Sequence, residues 1–236
     1  MREWKTTALA WLPGLVFTGL AALAADQNLP SLRPPAVPLV AHDPYFSIWS
    51  PADKLTDADT VHWTGKPHRL TSLVRIDGKA FRVMGKEPVN VPALPQTNLE
   101  VLPTRTIYNF EGEGVRLTLT FMTPALPEDL EVLSRPVTYV TWSANSTDGA
   151  TRDVAIYVYI SAETTVNDGQ RQLVNHSRES LGDLSVIKIG SKVQDVLAKK
   201  GDDIRIDWGY LYAASPAADH PLRNVTDRGS LQAKFV

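Results

Sequence analysis

The chain has 236 residues, with 24 Lys+Arg against 26 Asp+Glu, 17 prolines, 14 glycines and no cysteine. That length can bury one sizeable core or two small ones, and 43% hydrophobic with 21% charged residues is a globular composition, not a disordered one. A net charge of −2 without a run of basic residues argues against nucleic acid as a partner, and the absence of Cys excludes disulfides, thiol nucleophiles and Cys-ligated metal centres.

Met1 to Lys5 carries Arg2 and Lys5. Ala8 to Leu20 is apolar apart from Thr18, and Ala22-Leu23-Ala24 offers small residues before a cleavage point. Charge, apolar stretch and small-residue exit come in the order of an export signal over residues 1–24. The apolar run is short for a span of about 20 residues, so cleavage is expected instead of anchoring, leaving no membrane span. The mature chain then begins at Ala25 and belongs in the periplasm or outside the cell. Without disulfides it must be held by packing. Asn145, Asn175 and Asn224 open formal glycosylation triplets.

Fourteen of the prolines lie between Pro30 and Pro136, and none between Val137 and Ser215. Proline cannot donate to a sheet ladder, so residues 25–69 read as a loop-rich leader wrapped on a sandwich over 70–236. Leu70–Ile76 and Lys79–Met84 flank Asp77-Gly78, a tight hairpin. Thr104–Phe110 and Val115–Met122 flank a Gly-rich turn. Val115, Leu117, Leu119 and Phe121 alternate with polar residues there, giving one dry and one wet face. Val137–Ser143 and Asp153–Ser161 are expected to pair across 145–149. In the second of these, Val154, Ile156, Val158 and Ile160 point inward, and Tyr157 and Tyr159 pack against something else.

Leu184–Ile189, Ile204–Trp208 and Tyr210–Ala213 extend the β pattern. Ser191–Lys200 is the one helix candidate, with Val193, Val196 and Leu197 on one face and Gly201 as its stop. Leu231, Ala233 and Phe235 alternate like a strand that the chain leaves unfinished, so the sandwich is expected to be incomplete at its carboxy-terminal end. The fold class is all-β: a two-sheet antiparallel β-sandwich, supersandwich-like, with a Pro-rich wrap and one short helix.

Chemistry is sparse. Ser185 and Lys188 match S-x-x-K, but three residues apart on a strand means opposite faces. Asp53, Asp57 and Asp59 lack the glycine a calcium loop needs; His62 stands in its place. Glu111 and Glu113 sit at an exposed turn where nothing raises a carboxyl pKa. The five histidines show no metal-ligand spacing. No catalytic residue, metal or cofactor is expected. What stands out is an aromatic and polar concentration in the leader, from which Tyr45, Trp49, His62, Trp63 and Lys66 are the candidate ligand-contact or domain-interface residues. Burial of Phe46 and Trp49 as a seal on the sandwich edge is the plainer alternative.

The same residues carry a resemblance. P-A-V-P-L-V-A-H-D-P-Y-F-S-I-W-S from Pro35, D-K-L-T-D from Asp53, H-W-T-G-K from His62 and L-V-R-I-D-G-K from Leu73 are similar to the amino-terminal region of glutaminase A family proteins. So are P-T-R-T-I-Y-N-F from Pro103, L-T-L-T-F-M-T-P from Leu117, L-S-R-P-V-T-Y-V from Leu133 and G-D-D-I-R-I-D-W-G-Y-L-Y from Gly201. The resemblance implies exported proteins of fungi and bacteria, glutamine amide hydrolysis, and a leader plus β-sandwich followed by an all-helical region resembling the six-hairpin toroids of some glycosidases. That helical region is implied to hold the active-site cleft and to be this chain's partner. None of the matched motifs is implied to be catalytic. The expected role is a non-catalytic amino-terminal module of an exported glutaminase A-like hydrolase. The alternatives are a free-standing secreted carbohydrate-binding or adhesion sandwich, and a module of a six-hairpin glycosidase-like enzyme with a small-molecule or glycan ligand.

Overall fold

The computed structural model describes residues 33–219 together with Gln232, Phe235 and Val236; the expected export segment lies outside them. The leader is not mere wrapping. It forms a hairpin, β1 (Val37–Asp43) against β2 (Phe46–Ser50), with bulges between Pro38 and Val40 and between Ala41 and Asp43. The irregular ladder accommodates Pro38, which has no N–H to give. Val37, Leu39, Val40 and Ile48 join the main hydrophobic cluster.

Next come β3 (Leu70–Ile76) and β4 (Lys79–Met84), joined by the expected Asp77-Gly78 turn, whose φ values of 48° and 86° suit those two residue types. Then β5 (Gln96–Leu102), β6 (Arg105–Gly112) and β7 (Val115–Met122) follow as a meander. Val115, Leu117, Leu119 and Phe121 are buried as the alternation predicts. Gly114 turns β6 into β7 at φ 73°; a Cβ there would lie 2.5 Å from the Arg152 guanidinium and 2.6 Å from the Asp148 carboxylate.

The third expected pair does not form. β8 (Tyr139–Ser146) extends the β5-β6-β7 sheet through β7, and β9 (Val154–Ile160) joins β3 in the other sheet. The chain crosses between sheets over 147–153 instead of turning back. An electrostatic clasp holds the crossing: Arg152 pairs with Asp148 and, at 2.9 Å, with Asp77, while Asp77 also accepts from the Asp153 amide. The crossing lets Val140 and Trp142 of β8 and Val154, Ile156 and Ile160 of β9 all pack on the one core. Two sheets, β4-β3-β9 and β5-β6-β7-β8, thus form the sandwich. Behind β9, the Tyr157 ring meets Phe235 at 5.5 Å.

A further, three-stranded sheet contains β10 (Val174–Leu181), β11 (Leu184–Ser191) and β12 (Leu211–Pro216). The helix expected at Ser191–Lys200 is absent. Ser191 ends β11, Leu197 adopts φ 52°, and Val193, Val196 and Leu197 are exposed, so no surface rewards a helix there. A single helical turn, α1 (Leu130–Leu133), occurs elsewhere, capped by the Asp129 carboxylate on the Val132 amide. Ile204–Trp208 is not a strand either; its amides bond singly, Arg205 to the Asn167 side chain and Ile206 to the Tyr45 carbonyl. Of the strand expected at the chain's end, Leu231 and Ala233 lie outside the described residues; Gln232 and Phe235 are helical, and the Val236 amide bonds the Gln232 carbonyl.

Candidate functional site

Pro44 and Tyr45 make the turn between β1 and β2, and the Asp43 carboxylate fixes it by accepting from the Tyr45 and Phe46 amides. The segment 60–68 lies against this turn. Trp49 and Val61 exchange backbone bonds of 2.7 and 2.9 Å, and a tight turn closes at Gly65, φ 83°. The Pro44 carbonyl accepts twice, from the Trp63 indole at 2.7 Å and from His62 Nε2 at 3.1 Å.

The five candidates therefore separate. Trp49 and Trp63 face one open groove of about 390 Å³, shared with Ala41, His42, Asp43, Pro44 and Ser47. Trp63 is 55% exposed. Trp49 is half-buried, and its indole N–H has no partner, as is true of the Ser47 hydroxyl beside it. Tyr45 stands on the other side of the turn, edge-on to Trp208 at 5.3 Å. Lys66 pairs with Asp203 at 3.2 Å, and bonds from Thr64 first and Lys66 second hold the Asp203 carboxyl below its ordinary range.

His62 is wholly buried behind the groove. Its Nδ1 accepts from Thr64, and loss of water lowers its pKa. Beside it lies His68, also wholly buried, with ring centroids 5.0 Å apart. His68 Nδ1 donates to the Ser47 carbonyl at 2.9 Å, and burial pushes its pKa down to about 4. Arg205 completes this interior group. Its guanidinium bonds the backbone carbonyls of Asn167 and Pro67, and desolvation lowers its pKa.

Sequence reasoning missed His68 and Arg205. His68 stands among polar residues, and Arg205 sits between two isoleucines in a stretch with a strand's alternation. Nothing local marks either as interior.

The remaining motif residues have ordinary surroundings. Ser185 is buried on β11, whereas Lys188 lies over the Tyr210 ring at 4.0 Å. Asp53 pairs with Arg33, Asp59 with Arg69, Glu111 with Arg116 and Glu113 with Lys79. Among the described residues no three His, Asp or Glu side chains are placed to hold a metal, and no helix is long and apolar enough to cross a membrane. The groove offers indole faces, a carboxylate and an imidazole at its rim. Such a set suits contact and recognition.

A family model described as a domain of unknown function, DUF5127, matches residues 104–236, and a second, DUF4964, matches 20–96. A protein named Glutaminase A from Aspergillus oryzae is 31% identical over 205 residues, which is 83% of this chain and 29% of the relative. A protein named "Probable glutaminase" from Arthroderma benhamiae is 24% identical over 236 residues, 88% of this chain and 26% of the relative. The chain thus spans less than a third of either relative's length.

Proposed function

The chain belongs to the DUF5127 family and carries a glutaminase A-like amino-terminal region, and from that premise we propose that it serves as the non-catalytic sandwich module of an exported glutaminase-like hydrolase. The observation that supports this most is proportion: 83–88% of the chain aligns with only 26–29% of each relative. In this reading hydrolysis of the glutamine side-chain amide belongs to a partner region of helical structure, and the sandwich steadies it. The exposed aromatics beside the leader turn, Tyr45 and Trp63, are the contact surface. The test is direct. Purified chain is expected to release no more ammonia from glutamine than a heat-inactivated control, and release above that control overturns the proposal.

A second reading, carbohydrate binding, is favoured by the groove itself, where two indoles flank a carboxylate. It predicts glycan-array binding that Trp63→Ala abolishes with the fold intact; an array without a hit removes it.

A further inference from the structure

The β1–β2 hairpin is fastened differently at its two ends. At the Val37–Val40 end the side chains lie in the core, and the Pro38 carbonyl accepts from Thr106 Oγ1 at 2.7 Å. At the Ala41–Ser47 end most side chains are exposed. Its carbonyls are tied by hydrogen bonds from outside the hairpin: Pro44 by the Trp63 indole and His62, Tyr45 by the Ile206 amide and Ser47 by His68, so that two of the four donors are imidazoles.

The bonding favours neutral rings, most clearly at His68. His62 Nε2 faces the Pro44 carbonyl and therefore donates to it, while Nδ1 accepts from the Thr64 amide. His68 donates from Nδ1, which leaves Nε2 as a buried lone pair with no partner. Protonating His68 would place an N–H where no acceptor waits, and protonating His62 would set an N–H against the Thr64 amide.

The charged groups around His68 do not offset this, whereas at His62 two carboxylates favour the proton and Arg205 opposes it. Arg205 and His62 act on His68, while Arg205, Asp203 and Asp43 act on His62. Lys66 already pairs with Asp203, and Arg69 pairs with Asp59 and Glu163. Glu163, Asp203 and Asp168 act on Arg205 itself. His68 thus meets positive neighbours and no carboxylate. From these contacts we propose that His62 and His68 form an acid-released latch on the turn end of the β1–β2 hairpin, so that the groove between Trp49 and Trp63 loosens as pH falls while the core-anchored end stays closed. Below neutrality the proton favours conformations in which the rings reach water, and those are the conformations that let Pro44 and Ser47 go.

Amide hydrogen exchange between pH 7 and pH 5, corrected for intrinsic rates, reads this directly. Carboxylates of ordinary pKa, roughly 4, stay ionised across that window, so the imidazoles carry the change. Residues 41–47 are expected to exchange several-fold faster at the lower pH, with 37–40 and 105–122 unchanged. His68→Asn, which keeps a donor for Ser47 and cannot be protonated, should flatten the response; His42→Gln should retain it. Exchange at 41–47 indifferent to pH, or a rise shared equally by 105–122, overturns the proposal. So does a response lost in His42→Gln. Should His68→Asn not fold, imidazole NMR of the unmodified chain decides: a His68 ring titrating at an ordinary value near 6.5 overturns the latch, and one titrating well below it, together with the 41–47 amides, supports it.

Discussion

Two hairpins of this protein reach the same core by opposite means. The β6–β7 hairpin sits within a four-stranded sheet and fills its inner face with Tyr108, Phe110, Leu117, Leu119 and Phe121, all wholly or almost wholly buried. Among the described residues the β1–β2 hairpin forms a two-stranded sheet of its own, and its turn end is held by polar contacts, two of them hydrogen bonds from buried imidazoles. Apolar packing is indifferent to pH and sensitive to lost volume. Polar fastening is the reverse, because its strength rides on protonation and on individual donors.

The contrast is broken most forcefully at Phe121. Phe121→Ala removes a fully buried ring and should cost about 3–5 kcal/mol in urea unfolding, with little change between pH 7 and pH 5 beyond that of the parent.

The second test is acid. His68 has its folded pKa lowered to about 4 by burial, against about 6.5 when unfolded. The unfolded chain therefore binds the extra proton first. The neutral imidazole's contribution is complete above pH 6.5 and is lost as pH falls toward 4, an integrated loss of about 3 kcal/mol. His62 is shifted in the same direction. Unfolding measured across that window should show the decline, and His68→Asn should reduce it; a flat profile would place the two hairpins on the same footing.

Thr106→Val comes next. It keeps the shape but removes the bond to the Pro38 carbonyl, and should cost about 1 kcal/mol, felt first at β1 in amide exchange. The smallest effect belongs to the surface: Arg116→Ala breaks an exposed ion pair with Glu111 and should change unfolding by less than about 1 kcal/mol.

The same contrast explains what could be read from sequence. The hairpins at Asp77-Gly78 and at Glu113-Gly114 were legible because turn chemistry and period-two burial agree in consecutive residues. β1 and β2 were read as wrapping because Pro38 and Pro44 argue against a ladder, and only the bulges reconcile proline with pairing. β10 was missed for want of an apolar face, since Asn175, Ser177 and Glu179 leave no alternation to see, while on β5 the alternation is confined to Leu99 and Val101 and is too short to stand out.

The partner of β9 was misread for a different reason. Proximity along the chain favours β8, while the choice of β3 depends on a core assembled from residues far apart. The candidate site followed suit. The exposed aromatics stood out by composition, whereas His68 and Arg205 became visible only once distant backbone carbonyls were in place.

The pairing of β3 carries a consequence for how the molecule comes to be. Its near neighbour β4 follows after a two-residue turn, but its far neighbour runs from Val154, opposite Ile76, to Ile160, opposite Leu70. One side of β3 forms locally and fast; the other waits for the closure of a loop of roughly eighty to ninety residues, the slow kind of event in β-rich folding. A chain emerging amino-terminus first, from a ribosome or across a membrane, would carry β3–β4 as an unfinished ribbon with one open side through the making of β5 to β8. The Asp77 turn that starts this ribbon also receives Arg152 and the Asp153 amide, so the contact that closes the sandwich is recorded at the turn that opened it.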